Sequence, residues 1–234
     1  MRPVVRRTAA AIAAGTTLAG TAPALAGNGP HVEGARVRHG RARFERQGDT
    51  LRIYSGRLTV VDYDRFDIPV GTSVEFLQAN GRSRFLNRIN SDAPTQIMGS
   101  LMSNGRVYFI NRAGVIFGKN ATINVGGLFA AAGNMSNKDF LAGRDRVTDM
   151  RGEVRNEGTI HAGTEVVLAG RTVVNNGTIE TDRGGLVAMV AGDQVTLRRA
   201  GSNVSVRVAG GAAALDGHAA IQNNGVISTP GGRT

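Results

Sequence analysis

Three copies of one short pattern decide the fold of this chain: VRNEGTI at residues 154–160, VVNNGTI at 173–179 and IQNNGVI at 221–227. The second copy follows the first by 19 residues, and the third lies 48 residues further on, about two and a half of the same periods. A repeat near 20 residues with one Asn-x-Gly corner per period is typical of a parallel β-solenoid, in which each repeat forms one coil. The alternative is a β-sandwich in which the Asn-Gly turns coincide by chance.

The repeated positions have distinct expected roles. Asn and Gly tolerate the left-handed backbone of a sharp corner, and coils stacked about 4.8 Å apart allow corner asparagines to form a hydrogen-bonded ladder. The predicted corner residues are Asn156, Gly158, Asn175, Gly177, Asn223 and Gly225. Flanking apolar residues should stack on their equivalents inside one core, namely Val154, Val173, Ile221, Ile160, Ile179 and Ile227.

The chain outside these copies has the same character. Short apolar and β-branched runs alternate with Asn, Asp and Gly, which predicts an all-β protein, and only residues 126–145 suggest a helix. At about 19–20 residues per coil, the 208 residues that follow residue 26 correspond to roughly ten coils and a rod about 50 Å long. Because the open end of such a rod exposes strand edges, we expect an N-terminal β cap.

Composition excludes several classes of protein. The chain has no cysteine, which excludes a disulfide scaffold, a thiolate metal site and a cysteine nucleophile. The formal net charge is +10, and of the 28 basic residues only Lys119 and Lys138 are lysines. The basic segment Arg36–Arg46 fits a solvated face, an acidic protein groove or anionic lipid headgroups. Nucleic acid is not expected, because aromatic residues for base stacking do not alternate with the arginines.

The N-terminus has the features of a secretory signal peptide. Arg2, Arg6 and Arg7 precede an uncharged Ala-rich stretch, and Ala24 and Ala26 supply small residues at the −3 and −1 positions before Gly27. The sequence therefore predicts cleavage after Ala26 and export of the mature chain. The expected organisation is a signal peptide at 1–26, a cap region with the basic segment at 27–60 and a β-helix domain at 61–234.

The middle of the chain resembles the N-terminal two-partner secretion domain of filamentous haemagglutinin-type exoproteins. The resemblance rests on consecutive blocks, which are FLNRI (85–89), PTQIMGSL (94–101), SNGRVYFIN (103–111), RAGVIFG (112–118), VGGL (125–128) and MSNKDF (135–140). It extends upstream through VVDYDRF (60–66) and downstream through the Asn-x-Gly copies. The family's Asn-Pro-Asn-Gly-Ile block falls on residues 111–115, where Arg112 and Ala113 replace the proline and the second asparagine.

The resemblance implies a right-handed parallel β-helix with an N-terminal β cap and a role as a secretion signal. In this family, periplasmic POTRA domains of a partner outer-membrane barrel recognise the domain, which crosses the barrel unfolded and then nucleates folding outside the cell. The candidate residues for this recognition are Asn87, Arg88, Gln96, Gly99, Asn104, Gly105, Asn111, Gly114, Phe117 and Gly118. The adhesin-type resemblance also points to a glycan or surface protein of a host or neighbouring cell as a target.

Two other functional classes compete with this interpretation. One is a free-standing adhesive β-helix at the cell surface without a dedicated transporter, and the other is a carbohydrate-active β-helix enzyme. Catalytic and metal-binding patterns argue against the enzyme: the four histidines are scattered, and no carboxylate pair belongs to a recognisable motif. We therefore expect neither catalytic activity nor a metal or other cofactor.

Overall fold

A computed structural model describes residues 29–200, 203–210 and 220–234. The predicted cleavage residues Ala24, Ala26 and Gly27 lie outside this part of the chain. In chain order, the strands and the short helix are β1 (His31–Glu33), β2 (Arg36–His39), β3 (Ala42–Gln47), β4 (Thr50–Ser55), β5 (Leu58–Tyr63), β6 (Arg65–Asp67), β7 (Ser73–Leu77), β8 (Arg84–Ile89), β9 (Thr95–Ile97), β10 (Ser100–Asn111), β11 (Gly114–Phe117), β12 (Thr122–Ala131), α1 (Asn137–Leu141), β13 (Asp145–Val147), β14 (Glu153–Asn156), β15 (Thr159–Ala162), β16 (Glu165–Gly170), β17 (Thr172–Asn175), β18 (Thr178–Thr181), β19 (Leu186–Ala191), β20 (Gln194–Ala200), β21 (Asn203–Ala209), β22 (Ile221–Asn223) and β23 (Val226–Ser228).

The strands wind into a β-helix with three parallel faces, which confirms the predicted fold class. Face 1 contains β4, β7, the first parts of β10 and β12, β15, β18 and β23. Face 2 contains β5, β8, the second parts of β10 and β12, β16 and β19. Face 3 contains β9, β11, β14, β17 and β22. Strands β10 and β12 each bend from face 1 to face 2, so that they belong to both.

The coils differ in length, and the prediction of ten coils was wrong. The solenoid has about six turns. Strands β14 and β17 are offset by the expected 19 residues, but Arg84 of β8 pairs with Arg106 of β10, 22 residues later. The 48-residue interval is one coil rather than two and a half, because Asn175 pairs directly with Asn223. The additional residues of that interval include the antiparallel pair β20 and β21, which lies outside the solenoid.

Three antiparallel strands form the N-terminal cap. Strand β1 pairs with β6, β2 with β5 and β3 with β4, so the chain runs back over the first coil and covers its strand edges. Three of the five arginines of the basic segment have carboxylate partners there: Arg36 donates to Asp64 at 2.8 Å, Arg38 donates to Asp62 at 2.7 Å, and Arg43 pairs with Glu45. Residue 60, the predicted end of the cap region, lies within β5, and that boundary stays a prediction.

One apolar core runs through the inside of the solenoid. At its N-terminal end the coils are wide enough for aromatic rings, such as Phe66 against Phe109 with ring centroids 5.2 Å apart. At its C-terminal end, aliphatic side chains fill narrower coils. The predicted inward residues Val154, Val173, Ile160 and Ile179 are fully buried, and Ile227 packs partly buried against the core.

Ile221 is the exception among the predicted core residues. It stacks on Val173 in register, as expected, but 43% of its surface is exposed. The reason is its position on the last described coil, where no further coil of the described residues covers it. The prediction that Ile221 is buried was therefore wrong.

The corner asparagines form the predicted ladder. The amide of Asn156 donates to the side-chain oxygen of Asn175 at 2.8 Å, and the amide of Asn175 donates to Asn223 at 2.7 Å. Asn156 and Asn175 are fully buried. A parallel outer contact joins Asn224 to Asn176 at 2.9 Å. The two bonds donated by the buried Asn156 and Asn175 hold the register of three successive coils, whereas the contact between Asn224 and Asn176 is exposed to solvent.

The corner glycines are required for a different reason from the one predicted. Gly158, Gly177 and Gly225 do not have positive φ angles, so the left-handed backbone was the wrong explanation. A Cβ at Gly177 would collide with the carbonyl oxygen of Gly158, and a Cβ at Gly225 with that of Gly177. The glycines are therefore required by the close approach of consecutive coils.

Face 2 is buried on both sides. Its outer residues, such as Leu86, Tyr108, Phe129 and Val167, form a second apolar core that α1, β13 and β20 cover. This explains why β16 is buried along its whole length, as is typical of parallel strands between two layers. The helix α1 lies within the region that suggested one, and Ser136 caps it by accepting a bond from the Asp139 amide.

Replacement of a buried ladder asparagine should destabilise the solenoid. In Asn175→Ala, the amide of Asn156 loses its best acceptor in a buried position, so we expect a loss of about 1–3 kcal/mol in the free energy of unfolding. Urea denaturation followed by circular dichroism measures this. The matched control is Asn176→Ala, whose side chain is exposed and which should change stability by less than about 0.5 kcal/mol. Equal losses in the two variants would contradict a stabilising ladder.

Candidate secretion-recognition site

The candidate recognition residues do not form one surface cluster. Asn87 and Arg88 lie on face 2. Gln96 lies on β9 of face 3, and Gly114 and Phe117 lie on β11, the paired strand of the next coil. The remaining candidates occupy the corners between faces. Most of these side chains either point into the solenoid or make contacts between consecutive coils.

Asn87 is a core residue. It lies in the middle of β8 between Val61 and Phe109 of the neighbouring coils, and it is fully buried. Its amide donates to the Tyr108 carbonyl at 3.0 Å, whereas its side-chain oxygen has no hydrogen-bond partner among the described residues. Asn87 is therefore neither a corner nor a surface contact in the folded domain.

Arg88 connects the solenoid to the segment that covers face 2. Its guanidinium contacts the Asp62 carboxylate at 2.6 and 2.8 Å, the carbonyl of Met135 at 3.1 Å and the side chain of Asn137 at 2.8 Å. The side chains of Arg88 and Asp62 are 18% and 8% exposed. Because one guanidinium holds two coils and the start of α1 together, Arg88 is a structural connector rather than a solvated side chain.

Asn111 and Gly114 shape the corner between faces 2 and 3. The buried Asn111 amide donates to the Ala93 carbonyl at 3.0 Å and to the Thr95 hydroxyl at 3.1 Å, while its oxygen accepts from the Ala113 amide at 2.9 Å. Gly114 has a φ of +132°, and a Cβ there would lie 2.7 Å from a backbone oxygen of the next coil. This corner therefore depends on both residues without the proline of the family block.

Asn104 and Gly105 form the corner between faces 1 and 2. Asn104 is exposed but exchanges two bonds of 2.8 Å with the backbone of Gln78 one coil earlier. A Cβ on Gly105 would lie 2.8 Å from the Gln78 side chain. Consecutive coils also approach closely at Gly99 and Gly118, where a side chain would collide with neighbouring atoms.

The exposed part of the candidate set is small. Gln96 is exposed, and its backbone amide donates to Asp67 at 2.8 Å. Phe117 lies on β11, the strand that pairs with the β9 strand of Gln96, and it is fully buried. The open surface nearest to the Asn111 corner is a cleft of about 450 Å³ whose lining includes Arg88, Asn90 and Arg112.

Sequence reasoning did not find the partners of Arg88. Asp62 and Asn137 lie 26 and 49 residues away in sequence, outside any repeat spacing. The pairing follows from β5 and β8 being neighbours in parallel register, which places Asp62 directly beside Arg88. An ion pair between adjacent parallel strands can be predicted from sequence only once the register of the two strands is known.

Two ionisable groups of the surrounding coils have shifted pKa values. Burial raises the pKa of Tyr63 well above its ordinary value of 10.0, and the Asp62 carboxylate adds to the rise. The Arg144 guanidinium, with help from the Ser136 hydroxyl, lowers the pKa of Asp139 at the start of α1. The phenol thus stays neutral and the carboxylate stays ionised. Among the described residues, no group of three His, Asp or Glu side chains is placed to bind a metal ion.

The role of Arg88 as a connector can be measured. Arg88→Lys keeps the charge but cannot reach three partners at once, so we expect a loss of about 1–3 kcal/mol in the free energy of unfolding. Hydrogen exchange of the amides of residues 135–141 should accelerate. The control is Arg112→Lys, whose 50%-exposed side chain has Asp149 as its only ion-pair partner among the described residues and which should change neither quantity. Unchanged exchange in Arg88→Lys would show that α1 is held without it.

Comparisons with known proteins agree with this fold. The TPS secretion domain family model matches residues 34–232. A heme/hemopexin-binding protein of Haemophilus influenzae is 33% identical over 223 residues, which cover 91% of this chain and 24% of that protein. A second heme/hemopexin-binding protein of Haemophilus influenzae is 41% identical over 70 residues, 30% of this chain and 8% of that protein. The chain thus spans about a quarter or less of these relatives.

Solved structures give the same result. The HMW1 secretion domain of Haemophilus influenzae superposes with a TM-score of 0.72 at 30% identity, covering 76% of this chain and 49% of that one. The filamentous hemagglutinin secretion domain superposes with a TM-score of 0.60 over 86% of this chain and 76% of that one, and at 18% identity it shows the fold alone. No helix in the described part of the chain is long and apolar enough to span a membrane.

Domains of this type are secreted with exoproteins through the outer membrane and are recognised by a partner transporter there. The family is one of secretion domains and not of enzymes. With its β-helix, its N-terminal cap and its match over residues 34–232, this chain belongs to the family of two-partner secretion (TPS) domains, the secretion domains of haemagglutinin- and adhesin-type exoproteins.

Proposed function

We propose that POTRA domains of the partner transporter read the block Asn87–Gly118 while this chain is still unfolded. The observation that supports this is the burial of Asn87, Asn111 and Phe117, whose exposed fraction in the folded domain is zero. A buried side chain offers no contact to a partner, so recognition through these residues has to precede folding. The folded state then uses the same residues for packing and for contacts between coils.

The proposed route begins with a cleavable signal peptide at residues 1–26. Export across the inner membrane delivers the chain to the periplasm, the transporter carries it across the outer membrane, and the domain folds at the cell surface or outside the cell. Family membership favours this route over a free-standing adhesive rod, because a TPS domain is paired with a transporter. The target of adhesion, a glycan or a surface protein, belongs to the exoprotein as a whole.

Cleavage after Ala26 is directly testable. N-terminal sequencing of protein recovered outside the cell should give Gly27 as the first residue. Ala26→Arg places a large charged side chain at the −1 position, so it should block cleavage and leave the chain cell-associated. An intact Met1 on exported wild-type protein would contradict the signal peptide and this route.

Recognition can be separated from stability with two matched asparagines. Asn111 lies inside the block and Asn175 outside it, and both are fully buried side chains that bond neighbouring coils. Each Ala variant is co-expressed with the transporter, and the secreted fraction is compared with the free energy of unfolding of the purified chain. We expect similar destabilisation but a loss of secretion several-fold larger for Asn111→Ala.

The same comparison of Asn111→Ala with Asn175→Ala can also contradict recognition of Asn111 by the transporter. If both variants are secreted equally, Asn111 is only a corner residue and the transporter does not read it. Gly114→Val, also inside the block, should lose folding as well, because a β-branched residue at φ +132° disrupts the corner. Its secretion and folding should fall together. Binding of the urea-unfolded chain, but not of the folded chain, to purified POTRA domains is the expected direct readout.

A further inference from the structure

A small antiparallel sheet lies outside the coils of the solenoid and covers part of face 2. Strand β13 pairs with β20, and β20 pairs with β21 over seven residues. In the sequence, β13 lies between β12 and β14 of the solenoid, and the pair β20 and β21 lies between β19 and β22. The coil containing this pair spans 48 residues between equivalent asparagines, where the preceding coil spans 19.

The inner side of this sheet is apolar and only partly covered. Val195 and Leu197 of β20 are fully buried against face 2. Their register partners on β21 are Val208 and Val206, which are 45% and 43% exposed. Strand β21 therefore extends beyond the surface that covers β20 and leaves two valines facing solvent.

The outer side of the same sheet is cationic. Arg146 of β13 lies opposite Thr196 of β20, which lies opposite Arg207 of β21, so both arginines belong to one row across the sheet. Arg198 lies two residues from Thr196 on the same side, because side chains alternate along a strand. Arg146 donates to the Gln194 side chain at 3.1 Å. Within the described residues, none of these three arginines has a carboxylate in ion-pair distance.

The outer edge of β21 is open. Its only paired neighbour in the described part of the chain is β20, and residues 205–210 are all exposed. An open edge presents a row of main-chain N–H and C=O groups that another strand can pair with. Proline, lysine and inward-facing charge, which commonly block such edges, are missing from the sequence of β21.

We propose that the open edge of β21 is a docking site for an extended partner segment in which acidic and apolar residues alternate. The segment is added as a fourth strand and pairs with the main chain of β21. Its carboxylates then lie beside Arg207, and its apolar side chains lie beside Val206 and Val208. Main-chain pairing supplies affinity and the alternating side chains supply specificity. This interaction is separate from the proposed recognition by the transporter.

Other occupants fit the edge less well. A lipid surface satisfies the arginines and valines but leaves main-chain groups without partners, which is costly in an apolar phase. A second copy of β21 brings no carboxylate, since Arg207 is the only charged residue of that strand. An acidic and apolar strand is the partner that satisfies all three features together.

The test uses the peptide Glu-Val-Glu-Val-Glu-Val-Glu, blocked at both ends and labelled for fluorescence anisotropy, with the Lys-Val counterpart as its charge-swapped form. The purified chain should bind the acidic peptide and not the lysine peptide. Arg207→Glu should weaken binding of the acidic peptide by about ten-fold or more and create binding of the lysine peptide. Arg82→Glu is the matched control, since Arg82 is also exposed and lies in a turn far from this sheet in sequence; it should leave both affinities unchanged.

Two further measurements make the proposal falsifiable. Hydrogen exchange should show protection of β21 amides when the acidic peptide is bound, and circular dichroism should show that Arg207→Glu is folded. Binding of the acidic peptide without protection of β21, or with equal affinity in Arg207→Glu, would overturn the proposal. Sedimentation with vesicles of phosphatidylglycerol and phosphatidylcholine tests the lipid alternative, and binding to vesicles but not to the peptide would also overturn it.

Discussion

Parallel register between coils is the constraint on which the rest of this domain depends. Because side chains alternate along a strand, a slip of one residue would turn every inward side chain outward. In the C-terminal coils the register is fixed by the buried bond from Asn156 to Asn175 and the partly buried bond from Asn175 to Asn223. They also fix the spacing at which glycine is needed, since consecutive corners touch through their backbones at Gly158, Gly177 and Gly225.

In the N-terminal coils, aromatic side chains pack against one another in the core. They are longer, and aromatic rings in edge-to-face contact fill the wider interior, such as Phe76 and Phe85 at 4.9 Å. The cap closes this end by reversing strand direction, so that antiparallel pairs cover the edges of the first coil. Face 2 carries a second apolar layer on its outside, which Arg88 links to the solenoid. The domain is thus closed by strand pairing at its cap and packed on both sides along face 2.

The sequence predicted those parts of the fold that repeat at a constant interval. Val154, Val173, Asn156 and Asn175 were correctly assigned because β14 and β17 differ by one uninterrupted coil. The coil count failed, because residues inserted outside the solenoid have the same strand-like composition as residues inside it. The candidate site was only partly predictable. The family block identified Asn111 from the sequence, but the core position of Asn87 depends on the register between coils, which the sequence of β8 alone does not reveal.

Burial of the recognition block has a kinetic consequence. The contacts that hide Asn87 and Asn111 join strands about 16 to 26 residues apart in sequence, and coils that carry insertions join strands up to 48 residues apart. Parallel pairing over such distances has to close loops before it gains contacts, which makes folding slow relative to helical domains of this size. Slow folding prolongs the interval in which the block is extended and accessible. The topology of the finished β-helix would therefore also provide the time that the proposed recognition of the unfolded block requires.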